Sequence, residues 1–391
     1  MKLFAAVGGL LVTAAIGLLP ASDSRQAASA TPPPRTALPC ELGTRAVAAT
    51  PVPLDGRPLL GRRPDGHLQF GFNDQSAFQG RLTFAEDRAA HQIVGSTLLR
   101  WTLLWGQIER VPGVYDWSPA DQMYCNALKG GIRPVLVISS SPRWASLSVT
   151  GCLPEIAYCH GPPARRKMGA LQRFARAVAI RYPQAAAIEA WNEPNLDVFW
   201  ARPAARRYVQ VLRAIYTGVK QGNPSIPVIG GNLGVDRRGM SIGDFLNAMY
   251  GAGAARWMDA LGFHPYPGWG EAPGPGDRFH TTLATVRSIV ASRDRPGRRL
   301  WVNELGVALV PDRGADAARQ ATQARSYYDE LDASKDVDAV IFHTLIDDAA
   351  YGWIGRQGRS YVARPALCAL AQRYGVPPTV CPGPLTLRPN P

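Results

Sequence analysis

Lysine is scarce in this chain of 391 residues. It occurs only at Lys2, Lys129, Lys167, Lys220 and Lys335, so arginine supplies almost all of the positive charge. Lys plus Arg total 43 against 30 Asp plus Glu, which gives a net charge of +13 and a pI near 9.8. That balance would suit an anionic partner such as nucleic acid, anionic lipid or an acidic polymer. Composition alone does not separate recognition of anions from a background preference for arginine.

A second long hydrophobic run is also lacking, so only the N-terminus offers a segment that could enter a membrane. Residues Leu3–Leu19 are apolar and uncharged and follow Lys2. Pro20 and a small-residue stretch ending in Ala28–Ala30 come next, which is typical of a secretory signal peptide over 1–30. An uncleaved anchor is the alternative, because about 17 apolar residues can span a bilayer. We expect a secreted or cell-surface protein, with no stable membrane insertion unless the leader stays uncleaved.

Charged residues make up only 19% of the chain and hydrophobic residues 46%, which excludes a wholly disordered protein. At roughly 150 residues per domain the length suggests two or three domains, but one α/β barrel of about 250 residues or more fits as well. Proline-rich stretches with little periodicity lie near both ends. We expect a leader (1–30), a proline-rich linker or strap (31–63), one large folded domain (64–376) and a proline-rich tail (377–391).

Cysteine pairs at C-x-x-C spacing are absent, which argues against a zinc site as the reason for the six cysteines. An even number of cysteines in an exported chain favours disulfides instead. One pair flanks a short loop, a second would fix the tail to a terminal helix, and the third would tie the linker to the body. The expected disulfides are Cys152–Cys159, Cys368–Cys381 and Cys40–Cys125.

Short β-rich runs alternate with stretches of helical spacing between Gly66 and Tyr374. The predicted strands are His67–Asn73, Thr97–Trp105, Pro134–Ser140, Ala187–Trp191, Pro227–Asn232, Ala260–His264, Leu300–Glu304 and Ala339–Thr344. Several are continuous apolar runs, as expected for strands buried on both faces of a parallel sheet. Eight βα units predict an α/β fold, a single (β/α)8 TIM barrel. A doubly wound open sheet is the alternative, but no glycine-rich phosphate turn follows the first strand.

Functional groups of such a barrel gather at the carboxyl ends of its strands. Two glutamates, Glu193 and Glu304, each follow an asparagine at the predicted ends of strands four and seven. Both would lie on one rim, where a carboxylate pair can cleave a glycosidic bond. One carboxyl protonates the leaving oxygen while the other attacks the anomeric carbon. A separation of about 5–5.5 Å would retain the anomeric configuration, and about 6.5–9.5 Å would invert it.

The run Trp191–Asn195 resembles the acid/base motif of clan A retaining glycoside hydrolases. Ile108–Trp117 resembles the loop after the second strand in the same clan, and the pair His264 and Tyr266 is similar to the pattern on their sixth strand. Glu304 stands where their nucleophile stands. Among families, the chain most resembles the bacterial family 39-like endoglycosidases, often labelled cellulase-family proteins.

This resemblance implies roles for individual residues. Glu193 would be the general acid/base and Glu304 the nucleophile. Asn192 would donate a hydrogen bond to the sugar 2-hydroxyl. Tyr266 would orient Glu304, and Arg100 would keep it ionised. For Tyr266 a rim aromatic without substrate contact, and for Arg100 a structural ion pair, are the alternatives.

His264 would support the same cluster, unless it is an ordinary core histidine. Asn73, at the end of the first strand, is a further candidate for substrate binding. Trp105, Trp144 and Trp353 fall in predicted loops past strand ends, where aromatic faces can stack on sugar rings or simply pack under the loops. Relatives often carry tryptophan at the end of strand eight, where this chain has His343, so Trp353 is expected to fill that role.

Together these features predict an exported retaining glycoside hydrolase that acts on a polysaccharide or oligosaccharide by double displacement. We expect a monomer with no cofactor, no metal site and no nucleic-acid partner, and with association to the cell wall. Two alternatives stay open. One is a barrel of weak or no activity that binds glycan or cell wall, and the other is a transglycosylase.

Overall fold

The computed structural model describes Cys40 and residues 61–147, 158–159, 161–309, 316–346, 351–357, 360–371 and 384–385. The predicted leader lies outside the described residues, as do most of the linker and most of the tail. Among the described residues, no helix is both long and apolar enough to cross a membrane.

Eight parallel strands close into a barrel. They are β1 (Gln69–Asn73), β2 (Leu98–Leu104), β3 (Arg133–Ser139), β4 (Ala187–Ala190), β5 (Val228–Gly234), β6 (Ala260–His264), β7 (Arg299–Leu305) and β8 (Val337–Phe342). Each strand pairs with its neighbours in the chain, and β1 pairs with both β2 and β8. Because this sheet has no open edge, the predicted (β/α)8 TIM barrel is confirmed and the doubly wound alternative is excluded.

Helices follow the strands in strict alternation and surround the barrel. They are α1 (Phe84–Ile93), α2 (Ser118–Lys129), α3 (Met168–Arg181), α4 (Ala205–Gly222), α5 (Ile242–Gly251), α6 (Arg278–Arg293), α7 (Ala317–Ala333) and α8 (Pro365–Ala371). A one-turn helix, Trp105–Ile108, directly follows β2, and 3-10 turns cover Arg165–Lys167 and Ala254–Trp257. The start of α1 is fixed by a capping box, in which Thr83 and Glu86 each satisfy the other's backbone N–H.

Two small antiparallel sheets lie outside the barrel. Ser141–Pro142 pairs with Tyr158–Cys159, and Ser360–Ala363 pairs with both Ile354–Gln357 and Pro384–Leu385. Pro384–Leu385, within the predicted proline-rich tail, thus adds a strand to the sheet that follows β8.

The barrel interior is layered. Its lower part is an apolar cluster to which every strand from β2 to β8 contributes, formed by Leu98, Val135, Ala186, Ala187, Ile229, Ala260, Trp301, Ala339 and Ile341. Residues two positions further along a strand point to the same face. Leu98 is therefore followed by Arg100, Ala187 by Glu189 and Ile341 by His343, which places a polar layer above the apolar one, towards the carboxyl ends of the strands.

The end of the predicted linker is fixed to the face of the barrel at which the strands begin, opposite their carboxyl ends. The Arg62 guanidinium donates to the carbonyl oxygens of Leu331 (3.0 Å) and Asp332 (2.6 Å) in α7, and of Val337 (3.2 Å) at the start of β8. The predicted disulfide between Cys40 and Cys125 is confirmed, and it joins the linker to α2.

The other two predicted disulfides are only partly described. Cys368 in α8 is disulfide-bonded, whereas its predicted partner Cys381 lies outside the described residues. Cys152 also lies outside them, so the pairing of Cys152 with Cys159 stays a prediction.

Candidate active site

The backbone at the end of β4 has an unusual conformation that positions Glu193. Trp191 has φ of 72° and Glu193 has φ of 43°, the left-handed region that non-glycine residues seldom adopt. Asn232 on β5 holds both residues, since its Nδ2 donates to the Trp191 oxygen (3.0 Å) and its carbonyl oxygen accepts from the Glu193 N–H (2.9 Å). The strain is thus supported by the neighbouring strand.

Gly234, at the end of β5, leaves the space that the Glu193 carboxylate occupies. A Cβ at this position would lie 2.2 Å from Glu193 Oε1. A side chain at this position would therefore force the Glu193 carboxylate to move.

His264, at the end of β6, is the hydrogen-bonding partner of Glu193. Its Nδ1 lies 2.8 Å from Glu193 Oε1. His264 is fully buried, and its Nε2 has no hydrogen-bond partner among the described residues. The side chain of Glu193 is 12% exposed, so it is held from below while its rim side stays open.

Glu304, near the end of β7, accepts three hydrogen bonds from protein groups. Tyr266 OH donates to Oε1 (2.6 Å), and Oε2 accepts from Arg100 Nη1 (2.6 Å) and Asn73 Nδ2 (3.2 Å). Its side chain is 13% exposed. These are the contacts that the resemblance implied for Tyr266 and Arg100, and Asn73 joins them.

The surroundings of Glu304 keep its carboxyl ionised. Burial alone would raise the pKa, but electrostatic interactions with His264, Arg100 and His343 and the hydrogen bond from Tyr266 lower the pKa of Glu304 to about 2. Arg100 carries its charge at every relevant pH. Burial and the nearby Glu304 charge raise the pKa of Tyr266 well above its usual range, so its hydroxyl keeps its proton and acts as a donor.

Arg100 connects the ends of β4 and β7. It is 1% exposed, and its guanidinium donates to Glu189 through Nε (3.1 Å) and Nη2 (2.9 Å). Nη2 also donates to Asn192 Oδ1 (2.7 Å). Asn192 is thereby oriented, and its Nδ2, which has no hydrogen-bond partner among the described residues, is left to donate to a ligand.

The two candidate carboxylates face each other across the mouth of the barrel. One donor atom each from Glu193, His264 and Glu304 lies within 4.8 Å of the other two. A carboxylate oxygen of Glu193 and one of Glu304 are therefore no more than 4.8 Å apart. The structure thus brings together seven of the predicted site residues, namely Asn73, Arg100, Asn192, Glu193, His264, Tyr266 and Glu304.

The prediction that Trp105 and Trp353 bind substrate is wrong. Trp105 is fully buried, with its ring stacked on Phe174 at 5.7 Å and its Nε1 donating to Glu109. Trp353 is also fully buried, 4.5 Å from Phe342 and 5.1 Å from Phe72 between ring centroids. Neither indole presents a face to a ligand, because the barrel wall and the packing beneath the loops cover both.

Trp144 is half-buried, and its role in substrate binding stays a prediction. Its ring meets the edge of Trp105 at 5.7 Å, and the ammonium of Lys167 lies 5.0 Å above its centroid. Its Nε1 donates to the carbonyl oxygen of Glu109 (2.9 Å). These contacts hold the loops after β2 and β3 together.

Sequence reasoning missed three residues of the site. Glu189 is the charge partner of Arg100, and its signal was an acid within the otherwise apolar, fully buried β4. His343 lies 3.2 Å from Asn73 Nδ2 through its Nδ1 and lowers the pKa of Glu304. Tyr351 packs 5.8 Å from the Tyr266 ring, and no local pattern in its loop indicated that.

A cleft of about 530 Å³ adjoins the site on the side of Gly234. It lies between the loop after β5 and the first turns of α5 and α6. Its lining is mostly polar or small and includes Gly234, Asp236, Arg237, Ser241, Glu271, Arg278, Thr281 and Thr285.

Comparison with known proteins finds likeness in structure and none in sequence. No protein-family model matches the chain, and no curated protein matches it in sequence. Its structure shares the fold of clan A glycoside hydrolases, those of family 39 among them. The predicted resemblance is confirmed at the level of the fold.

Three solved structures illustrate this likeness. A family 39 glycoside hydrolase from the gut symbiont Bacteroides cellulosilyticus WH2 is 19% identical, with a TM-score of 0.59 over 80% of this chain and 64% of that one. A monomeric β-xylosidase from Caulobacter crescentus CB15 is 20% identical, with a TM-score of 0.61 over 84% and 71%. The GH39 enzyme from Xanthomonas axonopodis pv. citri is 18% identical, with a TM-score of 0.63 over 81% and 67%. The chain thus spans less than two thirds of the first of these structures.

Proposed function

We propose that this protein is a retaining glycoside hydrolase in which Glu304 is the nucleophile and Glu193 the general acid/base. The observation that carries the proposal is the close approach of the two carboxylates, since one oxygen of Glu193 lies no more than 4.8 Å from one oxygen of Glu304. Retaining enzymes hold the pair about 5–5.5 Å apart, whereas inverting enzymes need about 6.5–9.5 Å to fit a water between them. The distance favours direct attack by Glu304.

In the first step, a Glu304 oxygen forms a bond to the anomeric carbon as the bond from that carbon to the leaving oxygen breaks. Glu193 transfers its proton to the leaving oxygen, so the departing sugar is a neutral alcohol. Arg100 and Tyr266 keep Glu304 ionised and aimed until it reacts. Asn192, oriented by Arg100, donates through Nδ2 to the 2-hydroxyl beside the reacting carbon.

In the second step, water attacks the anomeric carbon of the glycosyl-enzyme. The Glu193 carboxylate accepts a proton from that water, and the bond to Glu304 breaks to restore its carboxylate. The ester has no charge on Glu304, so the negative field on Glu193 is weaker during this step than before it. His264 Nδ1 keeps Glu193 in place for both proton transfers.

The substrate we propose is an oligosaccharide or polysaccharide. The cleft beside Gly234 gives room for sugar units beyond the reacting one, and Asp236, Arg278 and Thr281 in its lining can hydrogen-bond to hydroxyl groups. We propose that the protein acts outside the cytoplasm as a monomer, in keeping with its apolar N-terminal run. The arginine excess would then serve retention at the cell wall or an acidic glycan, with nucleic acid no longer the favoured partner.

The test begins with a panel of aryl glycosides and oligosaccharides, read by product mass. On a substrate that is turned over, Glu304→Ala should abolish release of the aryl group, and added azide should restore part of the rate as a glycosyl azide. Glu330→Gln on the outer helix α7 is the matched control and should retain full activity. An active Glu304→Ala enzyme would refute the assignment. Glycan binding by wild type without any product would favour the binding-protein alternative, and sugar transfer at high acceptor concentration the transglycosylase.

A further inference from the structure

A second cluster of ionisable side chains lies behind the barrel wall, away from the Glu193 and Glu304 pair. Asp74 directly follows β1, and Asp87 and His91 lie one turn apart on α1. One donor atom from each of the three lies within 4.8 Å of the other two. Their exposed fractions are 3%, 1% and 0%, so solvent does not satisfy these groups.

Each of the three side chains has an atom without a hydrogen-bond partner among the described residues. These atoms are Asp74 Oδ2, Asp87 Oδ1, and both ring nitrogens of His91. Buried polar atoms normally have partners, and a fully buried imidazole with neither nitrogen bonded is rare. A group that accepts lone pairs from both oxygen and nitrogen would satisfy these atoms.

The remaining oxygens hold the two carboxylates in fixed orientations. Asp74 Oδ1 accepts from the N–H (2.9 Å) and the hydroxyl (2.5 Å) of Ser76. Asp87 Oδ2 accepts from Asn126 Nδ2 on α2 (2.9 Å). Each acid is thus anchored through one oxygen and keeps the other available. In metal sites, hydrogen bonds of this kind from neighbouring groups orient the residues that bind the ion.

Among the described residues, no protein cation hydrogen-bonds to the free oxygens of the two acids. Arg88 follows Asp87 on α1, but its Nη1 donates to the carbonyl oxygen of Phe84 and to Asn126 Oδ1. The free oxygens of Asp74 and Asp87 and the unbonded ring nitrogens of His91 therefore remain to bind a cation.

We propose that Asp74, Asp87 and His91 bind one divalent metal ion, preferably Zn²⁺. Two carboxylate oxygens and one imidazole nitrogen are ordinary ligands of Zn²⁺, and two negative charges match its +2. The ion would join the end of β1 to α1. The neighbouring Asn73 contacts Glu304, and the Asp74 N–H donates to the Arg100 carbonyl oxygen (3.2 Å), so the ion would also steady one side of the candidate active site. The sequence led us to expect no metal site.

The experiment uses the untagged chain with its disulfides intact. Because the three ligands are buried, metal exchange requires unfolding. The protein is unfolded in guanidinium with EDTA, then refolded with EDTA alone or with an excess of ZnCl₂, MnCl₂ or MgCl₂. After gel filtration, the metal content is measured by mass spectrometry and the Tm by calorimetry. We expect about one zinc per chain, a higher Tm than after refolding in EDTA, and no retained magnesium.

Matched variants locate the ion. His91→Gln and Asp87→Asn should refold without zinc, whereas His264→Gln should keep it, which excludes binding between Glu193 and Glu304. Zinc kept by His91→Gln, lost only by His264→Gln, or absent from wild type would overturn the proposal. Absence would mean that the two aspartates share a proton instead. If the variants do not refold, anomalous diffraction from zinc-loaded wild-type crystals decides, since the peak must lie between Asp74, Asp87 and His91.

Discussion

Replacement of Arg100 by methionine separates the part of the charge network that stabilises the barrel from the part that serves the proposed chemistry. Arg100 is 1% exposed and Glu189 is fully buried, so each depends on the other for its charge balance. Glu304 and Asn192 share the same guanidinium. In Arg100→Met, Glu189 would remain as an uncompensated charge inside the barrel, and Glu304 would lose its permanent cation.

The expected cost can be worked from these contacts. Removing one partner of a buried ion pair costs about 3–5 kcal/mol, a large share of the roughly 5–15 kcal/mol that stabilises a typical protein. In the double variant Arg100→Met/Glu189→Met the Arg100–Glu189 pair is gone, a replacement that is often neutral or stabilising, and only Glu304 is left without its cation. We therefore expect the double variant to regain part of the stability lost in the single one.

The double variant should regain stability without regaining activity. Both variants lack the group that holds Glu304 ionised and orients Asn192, so kcat/KM should fall by about 10²–10³-fold in each, the usual cost of one preorganised electrostatic contact. Denaturant unfolding and kcat/KM are measured on wild type, both single variants and the double variant. An Arg100→Met protein as stable as wild type, or a double variant that regains activity together with stability, would refute this account of Arg100.

Further predictions concern the same site. Gly234→Ala should remain folded but lose at least about 10²-fold in kcat/KM, because its Cβ would lie 2.2 Å from Glu193 Oε1. Gly276→Ala is the control and should match wild type, because nothing lies within 4 Å of its Cβ. Because the pKa of Glu304 is lowered to about 2 from an ordinary value near 4.5, its contribution to stability is complete above pH 4.5 and is lost as the pH falls towards 2. Wild-type Tm should therefore fall more steeply over that window than the Tm of Glu304→Gln, and parallel curves would contradict the assignment. Tyr266→Phe removes the 2.6 Å hydrogen bond to Glu304 and should lower kcat/KM by about tenfold with an upward shift of the acid limb, whereas an unchanged pH profile would show that the hydroxyl does not act on Glu304.

Local sequence patterns were sufficient to predict the barrel and to place the two carboxylates at one rim of it. Runs such as Pro134–Ile138 are buried on both faces, so their hydrophobicity alone identifies a strand. Glu193 and Glu304 could be predicted because a TIM barrel collects the ends of its parallel strands at one rim. For β8 the prediction Ala339–Thr344 was displaced from the observed Val337–Phe342, because the buried Asp338 interrupts the apolar pattern.

Side-chain burial depends on partners that are distant in sequence, and there the prediction failed. Trp353 follows a strand end, as a sugar-stacking residue would, yet it packs against Phe72 and Phe342 from two other parts of the chain. The proposed metal-binding cluster has no local sequence signal for a related reason. Asp87 and His91 are four residues apart and therefore share a helix face, but Asp74 reaches them only through the packing of α1 on β1.

The central claim is that Glu304 forms a covalent bond to the sugar, and trapping that intermediate tests it most directly. A 2-deoxy-2-fluoro glycoside with an activated leaving group, matched to whichever sugar is turned over, would slow the second step and let the glycosyl-enzyme accumulate. The account predicts that intact-protein mass rises by one fluorosugar and that peptide mapping places the label on Glu304. Labelling of another residue would contradict it, as would turnover of the true substrate with inverted anomeric configuration.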